Sequence, residues 1–111
     1  MDEPILSVVF FRTEAGTEPV REWLRELTVE DRKTIGIDIK TVQYGWPLGM
    51  PLVRKMEPGL WEVRCDIADG IARVLFSAKG GQMVLLHGFV KKTQKTPDNE
   101  LKTARNRLKK L

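Results

Sequence analysis

Residues 60–67, Leu-Trp-Glu-Val-Arg-Cys-Asp-Ile, alternate strictly between two kinds of side chain. Trp61, Val63, Cys65 and Ile67 fall on one side of an extended chain, with Glu62, Arg64 and Asp66 on the other, which predicts a half-buried strand. Turn residues follow at short intervals, first Asp69-Gly70 and then Lys79-Gly80-Gly81. They bound two further strands, predicted over Ala72–Ala78 and Met83–Val90. Connections this short cannot make parallel crossovers, so an antiparallel meander is the frame that the rest of the chain must cover.

Ahead of the meander, Ile5 to Phe11 is a β-branched and aromatic run that predicts a first strand, broken at Ala15-Gly16. Thr17-Glu18-Pro19 then predicts a helix start, because a proline in the first turn gives up no needed N–H. Val20, Trp23, Leu24 and Leu27 keep one apolar stripe at helical spacing. Thr28, followed by Glu30 and Asp31, predicts a second cap, and Ile35, Ile39 and Val42 carry a second apolar face. Gly45 to Pro51 cannot continue a helix and reads as a crossing loop. Thr96-Pro97-Asp98 predicts the start of a last helix with a stripe of Leu101, Ala104, Leu108 and Leu111. The order gives an α+β fold: an antiparallel sheet of four to five strands, two N-terminal helices packed on one face, a C-terminal helix, and the other sheet face left partly free. At 111 residues it reads as a single domain over residues 1–111.

Several function classes drop out. No apolar run approaches the roughly 18 residues of a membrane span, and the Met1-Asp2-Glu3-Pro4 start lacks the basic and apolar regions of a signal peptide, so a cytoplasmic protein without membrane contact is expected. The single cysteine, Cys65, reads as a small core hydrophobe. With one histidine and no Gly-rich phosphate loop, no metal or cofactor is expected.

Cations remain. Residues 1–53 hold 6 Lys/Arg against 9 Asp/Glu, whereas residues 54–111 hold 13 against 6. A basic half of this kind suits a polyanion, because phosphate neutralisation releases counterions. Arg64 lies on the polar side of its strand and Arg73 nine residues later across the Asp69-Gly70 turn, a spacing that sets them nearly opposite or diagonal. Lys91 and Lys92 leave the next strand beside them. Arginine forks match phosphate oxygens and lysines add mobile charge, so these residues suit cleavage of RNA, whose 2′-hydroxyl is its own nucleophile. The competing reading pairs Arg64 with Glu62 or Asp66 and leaves the lysines solvated. His87 alternates with Leu85 and Phe89 and is expected in their apolar layer, although histidine can also transfer protons. Trp61 belongs with the core, while Trp46, in the loop, is a candidate for base stacking.

The series Pro47-Leu48-Gly49-Met50-Pro51-Leu52-Val53, Gly59-Leu60-Trp61-Glu62-Val63-Arg64, Arg73-Val74-Leu75-Phe76 and Leu85-Leu86-His87-Gly88-Phe89-Val90-Lys91-Lys92-Thr93-Gln94-Lys95-Thr96-Pro97 resembles the phage-derived, HigB-like branch of the RelE/ParE toxin superfamily. The resemblance implies the toxin of a type II toxin–antitoxin system, a metal-independent endoribonuclease that cuts mRNA, often on the ribosome. It implies a helix-turn-helix, HigA-like antitoxin as partner, with operator DNA bound only through the toxin–antitoxin complex. It assigns catalysis to Arg64, Arg73, Lys91 and Lys92 and RNA holding to Lys55 and Lys95. Some relatives carry a lysine where Glu62 stands and a tyrosine near the C-terminal helix; this chain has only Tyr44. The superfamily also contains ParE-like proteins that inhibit gyrase without cutting RNA. An adaptor gripping an acidic protein through residues 91–111, with 8 basic and 2 acidic side chains, is a further alternative.

Overall fold

The computed structural model describes residues 3–91 and 95–111. Its elements run β1 (Ser7–Phe10), α1 (Pro19–Glu26), α2 (Val29–Gly45), β2 (Val53–Glu57), β3 (Leu60–Ile67), β4 (Gly70–Lys79), β5 (Gln82–Lys91) and α3 (Asp98–Leu108). The helix starts follow from local chemistry. Pro19 opens α1 in the first turn, and the Thr28 hydroxyl caps α2 by accepting from the Asp31 N–H at 3.1 Å.

The five strands form one sheet in the order β1-β5-β4-β3-β2. β2 to β5 are antiparallel neighbours, as the turns require. β1 is different: it pairs parallel to β5, Ser7 opposite Gln82 and Phe10 opposite Leu85, so the sheet is mixed rather than wholly antiparallel. Both helices lie between β1 and the meander in sequence, which supplies the long crossover a parallel pair needs.

Alternation along the strands divides the core into two layers. On one face, Val63, Cys65, Val74 and Phe76 pack with Val20 of α1 and Ile35, Ile39 and Val42 of α2. On the other, Leu60, Leu75, Leu86 and Phe89 pack with Ala104, Leu101 and Leu108 of α3. The second face, expected to be left partly free, is covered by α3 over Leu60, Leu75, Leu86 and Phe89. The reason lies in β4 and β5, which carry apolar residues on both parities, as central strands buried on two sides do.

β5 also breaks the alternation that the sequence suggests. Leu75 faces His87, but the next residue, Phe76, faces Leu85, so Leu86 is an extra residue in the strand. Such a bulge resets which side chains share a face. Leu85 points to α1 and α2, whereas His87 joins Phe89 on the α3 side, so the expected common layer of Leu85, His87 and Phe89 is split. Beyond the bulge, Gly88 is buried under α1, where an added Cβ would stand 2.3 Å from Cε3 of Trp23.

Candidate nucleic-acid interface

Arg64 of β3 and Arg73 of β4 are directly opposite partners in the ladder, on the α3 side of the sheet. Like charges so placed repel. The carboxylate that offsets them comes from Glu62, two residues before Arg64 and hence on the same face. Arg64 Nε stands 3.4 Å from Glu62 Oε1. Thr96, just ahead of α3, donates its hydroxyl to Glu62 Oε2 at 2.5 Å and accepts from Arg73 Nη1 at 3.3 Å. Arg73, Thr96 and Glu62 thus form one hydrogen-bonded chain. The alternative in which Arg64 pairs with Glu62 is realised, and Thr96 serves this network rather than capping α3 with its side chain.

The network is deep. Glu62 and Arg73 are both fully buried, while the Arg64 side chain keeps 11% of its surface exposed. Burial holds the Arg73 guanidinium below its ordinary pKa; Glu62 opposes that shift, and neighbouring Arg64 and Arg54 add to it. Arg73 therefore acts on its surroundings as a fixed charge from beneath the surface, and Arg64 is the arginine of the pair that reaches solvent.

Three further cations flank the pair. Arg54 of β2 is opposite Glu62 and exposed, so it belongs to the same cluster. Sequence reasoning missed it; the signal was Val53 turning inward immediately before it. Lys91 ends β5, exposed and opposite Ile71, two residues along from Arg73 or about 7 Å. Lys95 is exposed beside Thr96. Lys92, the fourth cation assigned to the site, lies outside the described residues.

Two expected contributors sit elsewhere. Lys55 is opposite Trp61, and that residue packs into the α1/α2 layer, so Lys55 projects from the reverse face of the sheet. The register shifts between Lys55 and Glu57, and pairing resumes with Glu57 opposite Leu60. Trp46 packs in the same layer, its ring 5.1 Å from Trp61 and 5.6 Å from Phe76, both edge-on. It is separated from the arginines by the sheet.

His87 sits on the arginine side but is held by α3. Its Nε2 is 2.8 Å from Glu100 Oε1 and its Nδ1 is 3.4 Å from Arg107 Nη1. The ring stacks on Phe89, which is the ladder partner of Arg73. Phe89 thus stands between the imidazole and the arginine row. Among the described residues, no group of three or more His, Cys, Asp or Glu is placed to hold a metal ion, and no helix is long and apolar enough to cross a membrane.

Cross-strand arginines joined through a buried carboxylate, with exposed cations around them, give this face of the sheet a positive charge. A comparison with protein families gives this surface its context, since residues 22–109 match the family described as phage-derived protein Gp49-like. The chain belongs to that family. Gp49-like proteins are a RelE-like toxin family, and the five-stranded α+β fold agrees with that architecture. The match runs from within α1 to the end of α3 and includes Arg54, Arg64, Arg73, His87 and Lys91. No curated protein matches the chain.

Proposed function

We propose that this Gp49-like protein is the HigB-like toxin of a type II toxin–antitoxin pair and an endoribonuclease that cuts mRNA on the translating ribosome. The observation that supports the reading best is the cross-strand pair Arg64–Arg73, locked by Glu62 and Thr96 and flanked by Arg54 and Lys91. In this mechanism Arg64 and Lys91 hold the scissile phosphate. The RNA 2′-hydroxyl gives up its proton to solvent water as its oxygen attacks phosphorus in line, and the P–O5′ bond breaks, giving a 2′,3′-cyclic phosphate and a 5′-hydroxyl. The extra negative charge on the phosphoryl oxygens is stabilised by Arg64 at contact and by Arg73 from below. Lys91 is the proton donor to the leaving oxygen, and Lys92 and Lys95 steer the strand. A helix-turn-helix antitoxin of the HigA type is the partner under this reading, and operator DNA is reached through it.

The complete burial of Arg73, together with the absence of a tyrosine near α3, favours a second reading, a ParE-like toxin that blocks a protein such as gyrase. Growth and primer extension on a reporter mRNA, after induction of wild type and of the Arg64→Ala/Arg73→Ala variant, separate the two. Arrest with discrete cleavage sites that disappear in the variant supports the nuclease. Because Arg73 is buried, Arg64→Ala/Lys91→Ala is run beside it and leaves the core intact. Arrest with intact mRNA refutes the nuclease and points to the protein target.

A further inference from the structure

Away from the arginine face, on the α3 side of the sheet, a groove of about 910 Å³ runs between β1, the start of β5 and the C-terminal end of α3. Its walls are apolar: Val9 and Phe11 on one side, Val84 on the floor, and Leu111 opposite. Leu111 is the last member of the α3 stripe. Leu101, Ala104 and Leu108 are absorbed by the core, whereas Leu111 stays 61% exposed.

Two further observations say what fits. The rim carries the exposed cations Arg12, Lys79 and Lys110 against a single acid, Glu14, so it favours carboxylates. Ser77 lines the groove with only 4% of its surface exposed, and its hydroxyl has no hydrogen-bond partner among the described residues. A buried hydroxyl in that state is an open hydrogen-bonding position.

We infer that this groove docks an acidic and apolar segment of a partner protein, its apolar side chains seated over Val9, Phe11 and Val84 and its carboxylates at the cationic rim. A small-molecule site would need several polar groups converging in its depth, and of the uncharged polar lining residues Thr13, Ser77 and Gln82 only Ser77 is buried. A phosphate backbone has no use for the apolar walls. The inference stands apart from the nuclease reading, since the groove shares no residue with the arginine face.

The test is an amide NMR titration of the whole protein with an end-blocked twelve-residue peptide alternating Leu and Glu, beside a Leu/Lys peptide of the same length. Saturable shifts confined to Val8, Val9, Phe10, Phe11, Ser77, Val84 and Leu111, with the Leu/Glu peptide alone, are expected. Lys79→Glu/Lys110→Glu, at two exposed positions, weakens binding at least roughly 10-fold because it reverses the rim charge. Ser77→Ala weakens it roughly 2- to 10-fold, the worth of one hydrogen bond. The docking proposal is overturned by equal binding of the Leu/Lys peptide, by shifts centred on Arg64 and Lys91, by no saturable shifts, or by affinity indifferent to both variants.

Discussion

Gly88 is the position where the packing of α1 on the sheet is most exposed to challenge. It sits on β5 opposite Val74, and a Cβ there would stand 2.3, 2.5 and 2.9 Å from Cε3, Cζ3 and Cδ2 of Trp23. All three are atoms of a rigid ring, so Gly88→Ala forces the indole, and α1 with it, away from the strand. Overpacking of this kind costs about 2 kcal/mol. With an unfolding entropy near 2.1 cal/mol/K per residue, the 111 residues give about 230 cal/mol/K, and the melting temperature falls by about 9 °C. Thermal unfolding followed by circular dichroism measures it. The same substitution in a Trp23→Leu background costs much less, because the ring that collides is gone. A Gly88→Ala protein melting within about 2 °C of wild type, or an equal penalty in both backgrounds, refutes the direct contact.

Replacing Glu62 with Leu removes the buried carboxylate that faces both arginines, and the loss of one member of a buried charge network costs about 3–5 kcal/mol, or about 13–21 °C in melting temperature. Glu62→Gln, which keeps an acceptor for Thr96, falls between that variant and wild type; an unaltered Glu62→Leu protein contradicts the network. Burial, reinforced by Asp38, pushes the Cys65 thiol well above its ordinary pKa, so it resists alkylation at pH 8 in the native state and reacts on unfolding; fast labelling of native protein contradicts this. Arg105, by its hydrogen bonds to the Glu57 carboxylate, lowers the pKa of Glu57. The resulting stabilisation is present above the unfolded value of 4.5 and is lost as pH falls through the lower folded one. The melting difference between wild type and Arg105→Ala therefore shrinks on acidification, and a difference that grows instead overturns the pairing.

What could be read from the sequence was governed by period and by turn chemistry. The 60–67 alternation and the glycines after it located the hairpin, and the hairpin brought Arg64 and Arg73 face to face as expected. The cap at Thr28 and the proline of α1 are equally local signals. Non-local facts were hidden. A parallel partner for β1 depends on the crossover made by both helices, and the β5 bulge moves His87 to the α3 side without any mark in the residues themselves. β2 is short and its register shifts between Lys55 and Glu57, so its parity was illegible, and Arg54 rather than Lys55 joins the arginine face. Glu62 shows the subtlest gap. The sequence offers it only as a surface partner for Arg64, but the approach of α3 buries it and makes it, through Thr96, the group that orders Arg73.

The proposed cleavage of RNA at the Arg64–Arg73 face is measured with end-labelled mRNA on translating ribosomes, incubated with purified wild type or Arg64→Ala protein. The expected result is discrete cleavage by the wild type and a rate at least roughly 100-fold lower in Arg64→Ala, the cost of losing one contact to the developing charge. Full-length mRNA with wild-type protein, while translation or growth is still blocked, contradicts it.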